Sequence, residues 1–128
     1  MGYDQWALMM GAVFSGLSVL LGAFAAHALA HMVTPDRLEI FETGGPYQFY
    51  HGLALLVLGI YMTLDEGEVR SCVRVFGCWV LGVCLFSGSL YAYVMTGSKF
   101  WVKITPLGGV SMIIGWGVLV LDILKRRS

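Results

Sequence analysis

Four long stretches of this sequence contain no aspartate, glutamate, lysine or arginine. They are residues 5–35, 43–64, 75–98 and 104–121. A charged side chain is costly inside a lipid bilayer, and a helix needs about 20 mainly apolar residues to cross the hydrocarbon core. Because the lipid offers no hydrogen-bond partners to the backbone, such stretches form helices. The pattern therefore predicts four transmembrane helices.

The composition of the chain also indicates that lipid is its solvent. Only 12% of its 128 residues are charged and 58% are hydrophobic, whereas about 25% of the residues of a soluble domain are charged. The formal net charge is zero, and the eight lysines and arginines form no basic stripe. We therefore expect a single transmembrane domain over residues 1–128, which lies in a lipid bilayer and has no nucleic-acid partner.

These stretches predict an all-α fold, an integral membrane four-helix bundle. The expected helices cover about residues 5–30, 46–64, 73–96 and 105–124. Proline is well tolerated at the first position of a helix, where its missing N–H has no partner to lose. Pro46 therefore marks the expected start of the second helix. Pro106, with Thr105 as a capping residue before it, marks the expected start of the fourth.

The segment between the first two helices predicts a shorter element. Thr34–Arg37 is a helix-start signal, and Gly44 with Gly45 is a stop signal. Apolar side chains and glutamates are interspersed between these two signals. We therefore expect a short amphipathic helix at about residues 35–43, which lies in the membrane interface.

Glycine and other small residues recur within the expected helices. In the first helix, Ser18, Gly22 and Ala26 follow one another at intervals of four residues and so lie on one face. Glycine weakens a helix in water, but in a membrane it usually marks a close contact between helices. The residues expected to pack the helices together are Ser18, Gly22, Ala26, Gly82, Gly88, Gly108, Gly109 and Gly115.

Basic residues are divided unequally between the two ends of the bundle. The end with both termini and the loop Asp65–Arg74 carries Arg70, Arg74, Lys125, Arg126 and Arg127, and the other end carries Arg37, Lys99 and Lys103. The cytoplasmic loops of membrane proteins carry an excess of lysine and arginine. The distribution therefore predicts a protein of the plasma (inner) membrane with both termini in the cytoplasm.

Polar side chains concentrate in the half of the bundle farther from the termini. The candidate ligand-binding residues there are His27, Tyr47, Gln48, His51, Ser87, Ser89, Tyr91 and Thr105. His51 is the main candidate, because an ionisable residue inside a transmembrane helix is by default a candidate functional site. The alternative is a neutral His51 that forms hydrogen bonds across helices and holds the bundle together. Ser87 and Tyr91, one turn apart on the third helix, are its expected partners.

The cysteines and histidines do not predict a metal or cofactor site. The three cysteines form neither a CxxC motif nor a zinc-binding spacing, and we expect them to be small apolar packing residues. His27 and His31 are four residues apart, a spacing that can bind a metal, but no carboxylate within the helix completes the set. A metal or haem role for His27 and His51 is therefore the weakest alternative.

Several segments resemble one known family. They are LGAFAAHAL (21–29), TGGPYQFYHGLALL (43–56), LFSGSLYAYVMTG (85–97) and ITPLGGVSMIIGW (104–116). On these segments the chain resembles domain-of-unknown-function family 423 over nearly its whole length, with departures at Ala25 and in the connector 98–103. The resemblance implies a four-helix membrane protein and supplies no settled activity. The hallmark positions that it implies are His27, Tyr47, Gln48, His51, Ser87, Gly88, Ser89, Tyr91, Thr105, Pro106, Gly108 and Gly109.

Three classes of function are open to such a chain. The abundance of small residues favours a non-enzymatic packing, assembly or accessory protein, which contacts copies of itself or a larger membrane complex. The polar cluster favours the alternative, a small-solute or lipid-binding protein or a channel. An enzyme or haem carrier is the third class, for which the sequence offers no catalytic residue and no cofactor motif. We favour the first class, and the one partner common to all three is the lipid bilayer.

Overall fold

The computed structural model describes residues 2–64 and 69–127 and contains four long helices. Helix α1 covers Tyr3–His27 and is followed by a 3-10 turn at Leu29–His31. Helices α2, α3 and α4 cover Pro35–Leu64, Val69–Thr96 and Phe100–Arg127. Part of the loop Asp65–Arg74, on which the predicted orientation partly rests, lies outside the described residues, as do the side chains of Arg70 and Arg127.

Each of the four helices is long and apolar enough to cross a membrane. The qualifying spans are Tyr3–His31, Pro35–Leu64, Ser71–Thr96 and Phe100–Arg126. The part of the chain that the structure describes contains no β-strand. The predicted all-α, four-helix membrane bundle is therefore confirmed.

The helices pack in the order in which they occur in the chain. Helix α1 packs on α2, α2 on α3, and α3 on α4, while α1 also touches α3 at a few positions. Among the described residues, the backbones of α2 and α4 do not approach each other. Helices α2 and α3 are therefore central, and α1 and α4 each leave a broad apolar face for lipid or for another protein.

Two groups of buried apolar side chains fill the interior. The larger group lies in the half of the bundle near the termini and includes Phe14, Leu55, Val75 and Trp79. The smaller group lies in the other half and consists of Ala25, Leu29, Phe41 and Val94. Between these two groups, α2 and α3 carry the polar residues that the sequence singled out.

The first turns of α2 differ from the predicted short interfacial helix. Helix α2 runs without a break through Gly44, Gly45 and Pro46, where the prediction placed a stop and a new start. Gly44 faces the Tyr91 ring and the Ser87 backbone so closely that an added Cβ would lie 2.8 Å from Tyr91. This close contact explains why residue 44 is a glycine, although no helix ends there. The prediction of a separate helix over residues 35–43 was therefore wrong.

Helix α4 begins earlier than its predicted start at Thr105. It starts at Phe100, and Pro106 lies within it. The backbone N–H of Phe100 donates a 3.4 Å hydrogen bond to Oγ of Ser98, which satisfies one of the free donors of the helix start. Thr105 therefore does not cap the helix, and its hydroxyl bonds instead to the carbonyl of Trp101 at 3.3 Å.

Five of the six glycines expected at helix contacts fall into two groups. At Gly82, Gly108 and Gly115 an added Cβ would collide with the facing helix, so α3 and α4 approach closely along this line. Gly22 and Gly88 have nothing within 4 Å of an added Cβ. Neither glycine therefore makes the predicted close contact with a described helix of this chain.

The remaining small residues of the predicted set are Ser18, Ala26 and Gly109. The side chain of Ser18 is buried and bonds to the Phe14 carbonyl of its own helix at 2.8 Å, whereas Ala26 is exposed. Gly109 has only an ordinary contact with Phe86. The close contacts between α1 and α2 are instead at Gly11, Gly52 and Gly59, none of which was predicted.

Candidate functional site

Gln48 joins three helices through its side-chain amide. Its Nε2 donates a 2.9 Å hydrogen bond to the carbonyl of Phe14 on α1. Its Oε1 accepts a 2.9 Å hydrogen bond from the hydroxyl of Tyr91 on α3. Gln48 is only 4% exposed. The amide therefore satisfies polar groups of two neighbouring helices in a region where neither water nor lipid would do so.

Ser87 makes a second polar contact between α2 and α3, one turn from Tyr91. Its hydroxyl donates a 2.7 Å hydrogen bond to the carbonyl of Gly44. The contact requires the two backbones to be close, and the missing side chain of Gly44 makes the room. Together with the bond from Tyr91 to Gln48, it fixes the register between α2 and α3.

Both ring nitrogens of His51 are used by neighbouring groups. Nδ1 lies 2.8 Å from the carbonyl of Tyr47, and Nε2 lies 3.0 Å from Nε1 of Trp116 on α4. A carbonyl can only accept and an indole N–H can only donate, so Nδ1 carries the proton and Nε2 is the acceptor. This arrangement fits a neutral imidazole and leaves no free ring nitrogen for a ligand or for proton transfer.

Two tryptophans surround the imidazole of His51. The ring centroid of Trp79 is 6.0 Å from that of His51 in an edge-to-face arrangement. Trp79 and Trp116 lie 4.5 Å apart, with their rings tilted by 50°. Aromatic pairs at such distances stabilise a core beyond the burial of their area. The His51 contact therefore connects α2, α3 and α4 at one place.

Helices α3 and α4 share two further hydrogen bonds. The hydroxyls of Ser89 and Thr105 are 2.5 Å apart, and the Ser111 hydroxyl donates to the Cys78 carbonyl at 2.7 Å. Ser89 and Ser87 are two residues apart on α3 and so point in different directions. The two serines therefore bond to different helices and do not converge on one site.

The structure thus brings together only some of the predicted ligand-binding residues. Gln48, Ser87 and Tyr91 form one group, and His51 lies beside them. Tyr47 contributes its backbone carbonyl, while its ring is exposed and packs against Phe86. The remaining three candidates lie apart: Ser89 pairs with Thr105, and His27 is exposed at the end of α1.

Trp79, Trp116 and Gly44 were missing from the predicted set. The sequence places both tryptophans in the predicted membrane spans, and both lie near the middle of their helices. That distance from the helix ends was the available signal, since interfacial tryptophans lie at the membrane surface. Gly44 was interpreted as a helix stop, and the sequence alone carried no sign of its contact with Tyr91.

Two apolar grooves open on the sides of the bundle. The larger has a volume of about 490 Å³ and lies between α1 and α2, lined by residues that include Ser18, Gly22, Ala25, Gly45, Pro46 and Phe49. The smaller, of about 290 Å³, lies between α2 and α4 over Trp79 and Trp116. Among the described residues no group of three histidine, cysteine or acidic side chains lies together as a metal site would require.

Chemically, the central polar residues of the interior are paired, whereas the Ser15 hydroxyl and Trp79 Nε1 are buried without a partner among the described residues, and the sides offer apolar space. The polar atoms of Gln48, His51 and Tyr91 are engaged in hydrogen bonds that cross between helices or return to the backbone. A nucleophile or general base needs an available atom beside a space for substrate. The arrangement is therefore suited to holding helices together, and the grooves are suited to apolar ligands.

Comparison with known proteins places the chain in a family. The family model described as "Protein of unknown function (DUF423)" matches residues 21–109. A UPF0382 membrane protein of Staphylococcus epidermidis is 42% identical over 92% of this chain and 94% of its own length. The UPF0382 membrane protein YwdK of Bacillus subtilis is 36% identical over 92% of this chain and 95% of its own length.

A third relative carries a more specific description. The UPF0382 inner membrane protein YgdD of Escherichia coli is 31% identical over 97% of this chain and 93% of its own length. No solved structure matches the chain. The matched segment of the family model includes the polar residues of α2 and α3 that form the cross-helix bonds. The chain is a membrane protein and belongs to the DUF423 family of proteins of unknown function.

Proposed function

We propose that this membrane protein is a non-enzymatic accessory protein that packs against other proteins of the same membrane. The exposed face of α1 is the observation that carries the proposal. Ala12, Gly16, Val19, Ala23 and Ala26 are all exposed there, at alternating spacings of four and three residues. We call these residues the α1 outer face.

The α1 outer face has the properties of a helix-contact surface. A spacing of four and three residues keeps a row on one side of a helix, as in the seam of a coiled coil. Small residues in such a row let another transmembrane helix approach closely. An added Cβ at Gly16 would have nothing within 4 Å, so none of the described helices uses the space. Another copy or another membrane protein is the proposed occupant.

The paired interior supports a non-enzymatic role. The main polar candidates inside the bundle have hydrogen-bond partners within the chain, which favours a scaffold whose contacts with partners are on its outside. We further propose that the protein lies in the plasma (inner) membrane with both termini in the cytoplasm. This placement is supported by the distribution of lysine and arginine, and by the similarity to YgdD, an inner membrane protein.

Site-specific photo-crosslinking in intact membranes tests the accessory function. A photoreactive amino acid is placed at Ala23, and the matched control carries it at Ile113, a lipid-facing position on α4 that is 70% exposed. We expect a discrete protein adduct from Ala23, identified by mass spectrometry as a second copy or another membrane protein, and mainly lipid adducts from Ile113. Equal protein adduct yields from the two positions would contradict the proposal.

A second candidate function, lipid binding, is favoured by the groove between α1 and α2. This groove has an apolar floor and lies beside Gly22 and Gly45, where added Cβ atoms would meet nothing within 4 Å. The polar cluster is not part of its lining. Native mass spectrometry of the protein released from mild detergent tests this candidate. Retained lipid in the unmodified chain, and its loss in Gly22→Leu, are the expected results.

A further inference from the structure

We propose that the groove between α1 and α2 holds one acyl chain of a phospholipid whose headgroup carries a primary ammonium, and that the Glu42 carboxylate binds this ammonium. The inference rests on the lipid-binding function proposed above and names its ligand class. It depends on three features of the groove: its length, its apolar lining and the acidic residue at one end.

The groove has the length of an acyl chain in one leaflet. Its α2 wall extends from Glu42 to Tyr50, a rise of about 12 Å at about 1.5 Å per residue. The hydrocarbon of one leaflet is about 15 Å thick, half of the bilayer core. The opposite wall is formed by α1 residues that include Ser18, Gly22 and Ala25. An acyl chain of that leaflet can therefore lie in the groove along most of its length.

The lining of the groove is apolar apart from Ser18, Tyr50 and Glu42. Along its walls lie Leu21, Ala25, Phe41 and Phe49, with the open position of Gly22 beside them. Glu42 is the charged residue of the lining and is exposed. It lies in the part of α2 that also carries Asp36 and Glu39. Because charged side chains are costly inside the hydrocarbon, this part of α2 is where the helix leaves the bilayer core.

Glu42 offers two hydrogen-bond acceptors at this end of the groove, its carboxylate and its backbone carbonyl. Within the described part of the chain, the Glu42 carboxylate has no hydrogen bond and no ion pair. The Glu42 backbone carbonyl loses its usual helical donor, because residue 46 is a proline and has no N–H. A primary ammonium is a cation with three N–H donors, whereas the headgroup of phosphatidylglycerol has no cation. Charge complementarity therefore selects phosphatidylethanolamine over phosphatidylglycerol.

Native mass spectrometry with two lipids of matched acyl chains tests the inference. The protein is equilibrated in mild detergent with equal amounts of phosphatidylethanolamine and phosphatidylglycerol, and bound lipid is counted. We expect the unmodified chain to prefer phosphatidylethanolamine about three- to fivefold, as for an exposed ion pair. Glu42→Gln should remove this preference while keeping total bound lipid, and Glu39→Gln, the control one turn earlier outside the groove, should keep both.

The same experiment separates failure of the inference from failure of lipid binding. Equal retention of the two lipids by the unmodified chain, or an unchanged preference in Glu42→Gln, would overturn the inference and leave lipid binding in place. The control for Gly22→Leu is Gly117→Leu on α4. If Gly22→Leu retains as much lipid as this control, both the inference and the proposed lipid binding are overturned. Gly22 and Gly117 each have open space around an added Cβ, so neither change should disturb the fold.

Discussion

The indole N–H of Trp116 donates a 3.0 Å hydrogen bond to Nε2 of His51. This bond links α2 to α4, whose backbones do not pack against each other among the described residues. The Tyr47 carbonyl holds the other ring nitrogen in place at 2.8 Å. His51 therefore acts as a neutral connector between helices, and its contribution to stability is measurable by substitution.

Loss of the Trp116 N–H should weaken the bundle modestly. Trp116→Phe keeps an aromatic ring but leaves Nε2 of His51 without its donor. Interhelical hydrogen bonds in membranes contribute about 0.6 kcal/mol on average and up to about 1.7 kcal/mol. We expect a loss of this size in an unfolding titration in detergent, and a similar loss for His51→Leu. Trp6→Phe, on the exposed side of α1, is the control, and a Trp116→Phe loss no greater than that of the control would contradict the assignment.

Adjacent glycines on α4 should respond in opposite ways to a methyl group. A Cβ added at Gly108 collides with the backbone of Phe86, whereas a Cβ at Gly109 meets only the Phe86 ring at 3.8 Å. We expect Gly108→Ala to destabilise the protein by about 1–3 kcal/mol, as overpacking usually does. Gly109→Ala should be neutral or slightly stabilising, because alanine favours a helix. Equal thermal stabilities of the two variants would argue against the close α3–α4 contact.

The proposed orientation can be tested with an impermeant thiol reagent. In a chain whose own cysteines are replaced by alanine, Lys99→Cys probes the α3–α4 connection, and Gly2→Cys probes the N-terminal end. We expect the reagent to label Lys99→Cys in intact cells and Gly2→Cys only after the membrane is opened. The reverse labelling pattern would place the termini outside the cytoplasm.

The four membrane spans could be predicted from the sequence because each is recognised by its own lack of charged residues, without knowledge of its neighbours. The continuity of α2 did not, since Gly44 serves a contact with Tyr91, a residue more than forty positions away. Similarly, the sequence placed Ser87 and Ser89 in one cluster, but their positions on α3 direct them to different helices. The pairing of polar groups depends on how each helix is rotated about its axis. Local sequence patterns do not determine that rotation.

The small-residue row at Ser18, Gly22 and Ala26 illustrates the same limit. Its spacing predicts that these residues share one side of α1, but the spacing does not say which neighbour that side faces. In the structure α2 meets α1 through Gly11, Gly52 and Gly59, and Gly22 borders the open groove. Gly22, predicted to make an internal helix contact, is therefore proposed to border a lipid-binding groove.

The coupling between Gln48 and Tyr91 tests most directly the claim that the polar interior holds the helices together. The measurement is a double-mutant cycle of Gln48→Leu and Tyr91→Phe, with the free energy of unfolding determined in detergent for all four chains. We predict that each single change destabilises the protein and that the double variant loses less than the sum, with a coupling of about 0.6–1.7 kcal/mol. Additive losses would contradict the account, because the two side chains would then not depend on each other for stability.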